Sequence, residues 1–117
     1  MIRNDRSNLV VDLTTAFAFK VIKYTENLDR IRKFNLSNQL FRSGTSVGAN
    51  VMEAQNAESK RDFIHKMKIA AKEADESYYW LFLCDNLESY PNCKQLLADL
   101  KIIIKVLSKI ISTAKRK

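Results

Sequence analysis

The side chains of this sequence able to do chemistry are few and scattered. His65 is the one histidine, and no cysteine or carboxylate stands around it at metal-ligand spacing. A lone histidine on a helix is far more often a surface or network residue than a catalyst. Glu53, Glu73 and Glu76 have the chemistry of bundle-core metal ligands, yet the Glu-x-x-His pattern of carboxylate-bridged metal bundles is missing. Cys84 and Cys93 lack ligand spacing, and no second pair exists to build a disulfide framework. They read as free thiols of a reducing cytoplasm. Gly44 and Gly48 sit one turn apart within a helical pattern and form neither a P-loop nor a dinucleotide fingerprint. The reading is of a protein that is not an enzyme and uses no cofactor or metal.

Charge is the chemistry that remains. From Lys94 onward seven basic residues stand against the single acid Asp99, which places +6 of the formal +7 in the last part of the chain. On a helix, Lys94, Lys101, Lys105, Lys109 and Arg116 fall within a sector of roughly 80°, opposite Leu100, Ile103, Leu107, Ile110 and Ile111. Lys115, Arg116 and Lys117 finish the tail. Such a stripe attracts phosphate backbones, although lysines on the outer face of an amphipathic helix also serve solvation alone. No aromatic residue interleaves with these lysines, so binding to RNA or DNA is expected to be backbone-led and salt-sensitive, without base stacking.

The elements that must carry these residues follow from composition and period. The chain has 117 residues with two glycines and one proline, which suits a single domain of a few long helices. Val10, Leu13, Phe17, Val21, Tyr24, Leu28 and Ile31 recur at spacings of three and four, giving a first helix over about 5–33. Asn35 or Ser37 can cap a second helix over about 37–55. Ser59 followed by Asp62 resembles a capping box and opens a third helix, about 59–87, with the core stripe Phe63, Met67, Ala70, Ala74, Ser77, Tyr78 and Leu81. Pro91 suits a first turn, so the fourth helix spans about 91–115. Short connections between long helices force neighbours to be antiparallel, and the fold class expected is all-α, an up-down-up-down four-helix bundle. The N-terminal segment interleaves charge with apolar residues, unlike a secretion signal, and no apolar run reaches the length of a membrane span. A cytoplasmic protein without membrane contact is expected.

The stretch Gln39 to Glu53, QLFRSGTSVGANVME, is unusual for a helix. Leu40, Val47, Val51 and Ala54 share a side with Gly44, while Arg42, Ser43, Ser46, Asn50 and Glu53 form a polar stripe beside it. Each glycine costs a helix about 1 kcal/mol relative to alanine, so the expectation is that another backbone packs close, with this flank and Trp80 forming a subunit interface. A turn near Ala57 and Glu58 would bring Arg42 opposite Glu73, Asn50 opposite His65, and Glu53 opposite Asp62 next to Arg61. Arg42, Ser46, Asn50, Glu53, Glu73, Glu76 and Trp80 are then candidates for a partly buried polar network that fixes register.

The strings QLFRSGTSVGANVMEA (39–54) and SKRDFIHKMKIAAKEADESYYWL (59–81) resemble the small bacterial four-helix bundle proteins called 23S ribosomal RNA intervening sequence proteins. The specific part is Gln39, Arg42, Ser43, Ser46, Asn50 and Glu53, followed by Phe63, Ile64, Lys72, Glu73, Glu76, Tyr79, Trp80 and Leu81; the outer helices agree in character. Many members carry glycine where this chain has Ala54. The resemblance implies an all-α bundle that assembles as a homopentamer, with an undefined cellular role for most members. The accessory variability protein of diversity-generating retroelements is similar in fold and ring assembly; it is basic and binds nucleic acid and a reverse transcriptase, but a shared fold does not carry function.

Two functional readings follow. One is a basic oligomeric adaptor that contacts RNA or DNA through the fourth helix and tail. The other is a protein-interaction scaffold, with a partner such as a reverse transcriptase, in which the lysines serve solubility.

Overall fold

The computed structural model describes residues 8–117, and every regular element among them is an α-helix. The helices are α1 (Leu9–Arg30), α2 (Phe34–Ala54), α3 (Lys60–Asp85) and α4 (Lys94–Arg116). The expected start of the first helix at residue 5 is replaced by a cap at Asn8, whose side chain accepts from the Val11 amide; residues 5–7 lie outside the described residues.

Each boundary has a local cause. α1 ends without glycine: Arg32 takes a left-handed φ of 65°, the Arg32 amide donates to Asp29 O at 3.0 Å, and the Lys33 amide donates to Leu28 O at 2.8 Å. This pair of bonds satisfies carbonyls that the helix end would leave open. α2 begins at Phe34, ahead of the expected Ser37, and neither Asn35 nor Ser37 caps it. Ser37 is buried inside the helix, where its hydroxyl donates to Thr25 O of α1 at 3.1 Å. Ser59 caps α3 by accepting from the Asp62 amide at 3.0 Å. The Asp62 carboxylate reaches back to the Glu58 amide at 3.2 Å, one residue before the cap. α4 begins at Lys94 rather than Pro91. Pro91 lies in the connection, and its carbonyl accepts from the Tyr24 hydroxyl at 2.7 Å.

The helices pack α1 on α2, α2 on α3, α3 on α4, and α4 back on α1. Along three of these seams, residue numbers rise on one helix as they fall on the other. Ser37 meets Thr25 while Gly48 meets Thr14. Arg42 meets Glu76 while Glu53 meets Lys66. Tyr24 meets Pro91 while Lys20 meets Asp99. The core between them holds Phe17, Val21, Leu28, Leu40, Val47, Val51, Met67, Leu81, Leu100, Ile103 and Leu107. Burying each large apolar side chain contributes about 1.5–3 kcal/mol before conformational entropy is subtracted. Ile31, expected in the α1 stripe, is 46% exposed because the helix has already ended there.

The glycine flank of α2 is covered within the chain. Gly44 faces Val21, and Gly48 faces the backbone of Thr14, both on α1. The expectation that this flank forms a subunit interface is corrected accordingly: α1 of the same chain occupies it. The close approach is a contact of helix pairs, in which small residues let two helix surfaces meet.

Candidate nucleic-acid interface

α4 is strongly amphipathic, so burying Leu96, Leu100, Ile103 and Leu107 rotates its lysines outward. Lys94, Lys101, Lys105, Lys109, Lys115, Arg116 and Lys117 are all exposed. Lys94 is partly neutralised by Asp85, 3.0 Å away. Asp99, the one acid of this helix, is held by Lys20 of α1 at 2.7 Å and by the Gln95 amide at 2.9 Å. Among the described residues no carboxylate forms an ion pair with Lys101, Lys105 or Lys109. At the far end Lys115 lies beside Lys68 of α3, and the neighbouring cation pushes the Lys115 pKa down. Exposed positive charge therefore runs along the outer face of α4 from Lys101 to Lys117.

An aromatic residue joins this face from another helix. Phe63 of α3 lines one groove with Lys60, Lys109, Ile110 and Lys117. The sequence of α4 alone shows no aromatic among its lysines. Phe63 belongs by period to the core stripe of α3, and it is half-buried; its second neighbourhood depends on how α3 and α4 are rotated against each other, which periodicity does not give.

The polar stripe of α2 is divided. Arg42 is brought to Glu73 at 3.2 Å and to Glu76, and Glu76 also accepts from Trp80 Nε1 at 3.1 Å. The guanidinium and the indole hold the Glu76 carboxyl below the usual carboxylate range. Ser46 and Asn50 do not join them: the Ser46 hydroxyl donates to Arg42 O at 2.6 Å, and the Asn50 amide donates to Ser46 O at 2.9 Å. Both bonds stay within α2, so Asn50 does not face His65 in a hydrogen bond. Glu53 pairs with Lys66 at 2.9 Å rather than lying level with Asp62. Arg42–Glu73 is the pair that a turn at Ala57 and Glu58 implies, whereas Arg42–Glu76, Glu53–Lys66 and Ser43–Ser77 join residues about one turn further along α3.

Ser43, on that polar stripe by period, is instead fully buried. The Ser77 hydroxyl bridges to Ser43 Oγ at 2.8 Å and to Glu73 O at 2.8 Å. Two small polar side chains at one level let α2 and α3 approach while leaving no buried donor without a partner. Trp80 is half-buried and packs against the core, with Tyr79 tilted on it at 5.3 Å between ring centroids. Tyr79 is exposed, as are Phe82 elsewhere on α3 and Phe41 on α2.

Cys84 and Cys93 are free and buried near Tyr24. Burial pushes the Cys84 thiol up to about 11, and raises Cys93 and Tyr24 as well. Among the described residues no cluster of three or more histidine, cysteine or acidic side chains is arranged to hold a metal ion. No helix among them is long and apolar enough to cross a membrane.

A four-helix, all-α chain with its positive charge carried on the last helix is the class these features define. Residues 6–111 match the 23S rRNA-intervening sequence protein family, and the chain belongs to that family. It is similar to a crystal structure of a protein of unknown function from the S23 ribosomal protein family of Bacteroides thetaiotaomicron. The two share 40% identity over 87% of this chain and 97% of that one, with a TM-score of 0.83. No curated protein matches the chain.

Proposed function

We propose that this chain is a non-enzymatic adaptor of the cytoplasm, an up-down-up-down bundle that assembles as a homo-oligomer and binds the phosphate backbone of RNA or DNA through α4. The observation that carries the reading is the row Lys101, Lys105 and Lys109, exposed and without ion pairs among the described residues. A lysine that serves an internal salt bridge has its charge compensated locally, as Lys94 does by Asp85. These three do not. Repetition around an oligomer would multiply the field.

Self-association is supported by the exposed Tyr79 ring on the half-buried Trp80, with Phe41 and Phe82 also exposed on α2 and α3, since exposed aromatic surface marks association sites. Light scattering measures this directly, and a monomer mass at micromolar concentration would refute it.

Fluorescence anisotropy with a generic RNA tests the binding. Affinity should fall steeply from low to moderate salt. Lys101→Gln, Lys105→Gln and Lys109→Gln together should flatten the log–log salt slope by about 0.7–0.9 for each phosphate that the three lysines neutralise. A protein indifferent to RNA and DNA at low ionic strength overturns this reading in favour of the protein-interaction scaffold.

A further inference from the structure

We propose that the groove between the first turn of α3 and the last turns of α4 takes one unpaired nucleotide of a nucleic-acid strand, its base on Phe63 and Ile110, its flanking phosphates on Lys60, Lys109 and Lys117. This rests on the phosphate-binding reading and adds a preference for single strands to it.

The groove is open and has a volume of about 420 Å³, within the range of about 300–1,000 Å³ common to small-molecule sites. Its floor is apolar, with Phe63 and Ile110 both half-buried. Three lysines stand among its lining residues and no acidic side chain does. An apolar floor below a cationic rim suits a ligand with a flat, weakly polar body and negative charge at its ends. A nucleotide within a strand has that form.

Two comparisons within the molecule narrow the occupant. The groove between α3 and α4 that is lined by Lys115 and Arg116 also contains the Asp75 carboxylate and has no aromatic residue. It offers neither a stacking surface nor a purely cationic rim. Lys109, by contrast, belongs both to the Phe63 groove and to the exposed row with Lys101 and Lys105. A strand whose phosphates follow that row is led to the groove. A duplex following the same row keeps its base faces stacked inside and can offer the groove only phosphate; an unpaired base can lie on the phenyl ring.

Anisotropy titrations of the full chain with labelled oligouridylate and with an RNA duplex of equal length test this. The single strand should bind about 10-fold more tightly at equal salt. Phe63→Leu should remove that preference while leaving duplex affinity and its salt slope unchanged, and Phe63→Tyr should keep it. Circular dichroism melts confirm that each variant is folded. Equal binding of both forms by the wild type, or a preference that survives Phe63→Leu, overturns the inference and leaves backbone binding standing. Absence of binding to either form overturns both. Displacement of the strand by laurate but not by uridine monophosphate would also overturn it, assigning the groove to an amphiphilic carboxylate.

Discussion

A β-carbon on Gly44 would stand 2.8 Å from Val21 Cγ1 and 2.9 Å from Val21 Cγ2. Val21 is completely buried, and a β-branched side chain in a helix has one strongly preferred rotamer, so it cannot step aside. Alanine would recover about 1 kcal/mol of helix propensity, but forcing an extra methyl into a packed core costs about 1–3 kcal/mol. Gly44→Ala should therefore lower the urea midpoint. At Gly48 the nearest atom to an added β-carbon is Thr14 O at 3.3 Å, a tight contact that a small helix shift relieves. Gly48→Ala should change stability less. A Gly44→Ala protein as stable as the wild type would contradict the contact.

The stripes of α1, α2 and α4 are legible in the sequence because amphipathic period alone determines which residues turn inward: Val21, Leu40, Val51, Leu100 and Leu107 all fall on apolar faces and all are buried. Ser59 is legible as a cap because its bond to Asp62 is local. What is not legible depends on how one helix is rotated and slid along another. Ser43 looks polar and exposed, yet it is buried through Ser77. Gly44 advertises a close neighbour without saying that the neighbour is α1. The α1–α2 turn reads as starting α2 at a serine or asparagine, while a left-handed arginine makes the break.

That arginine offers a test. Arg32 has φ of 65°, a region that costs an L-residue roughly 1–2 kcal/mol and glycine almost nothing. Its guanidinium lies 5.9 Å from the Phe34 ring centroid, an exposed contact of about 0.5–1 kcal/mol. Arg32→Gly should be neutral to stabilising, by up to about 1 kcal/mol, with an unchanged m-value. Arg32→Val should destabilise. If both variants lose stability equally in urea titrations, the left-handed turn is not the determinant.

Cys84 and Cys93 are 1% and 2% exposed, and the thiolate is the reactive form. Burial pushes the Cys84 pKa up to about 11 and raises Cys93. Both thiols should react slowly with Ellman's reagent at neutral pH in the folded protein and quickly in urea. Reaction of either one at the rate of free cysteine under native conditions would show that the α1–α3–α4 seam opens readily.

The Arg42–Glu76–Trp80 cluster makes a prediction with a definite sign in pH. Glu76 is held below its ordinary pKa in the folded chain, chiefly by the hydrogen bond from Arg42 and then by that from Trp80. A carboxyl whose folded pKa is depressed stabilises the fold above its unfolded pKa, and that contribution is lost as pH falls through the folded value. The wild type should therefore exceed Glu76→Gln in stability at neutral pH, and the gap should close in acid below the ordinary carboxylate range. Arg42 is 51% exposed, so solvent screens the pair and the gap at neutral pH is about 0.2–1 kcal/mol. Arg42→Leu should remove most of it, because the larger cause of the depression is gone while the indole bond remains. Urea melts of the wild type and the two variants across the acid range measure this. A gap between wild type and Glu76→Gln that stays constant from neutral pH into strong acid would mean that Glu76 acts by packing alone, without its charge.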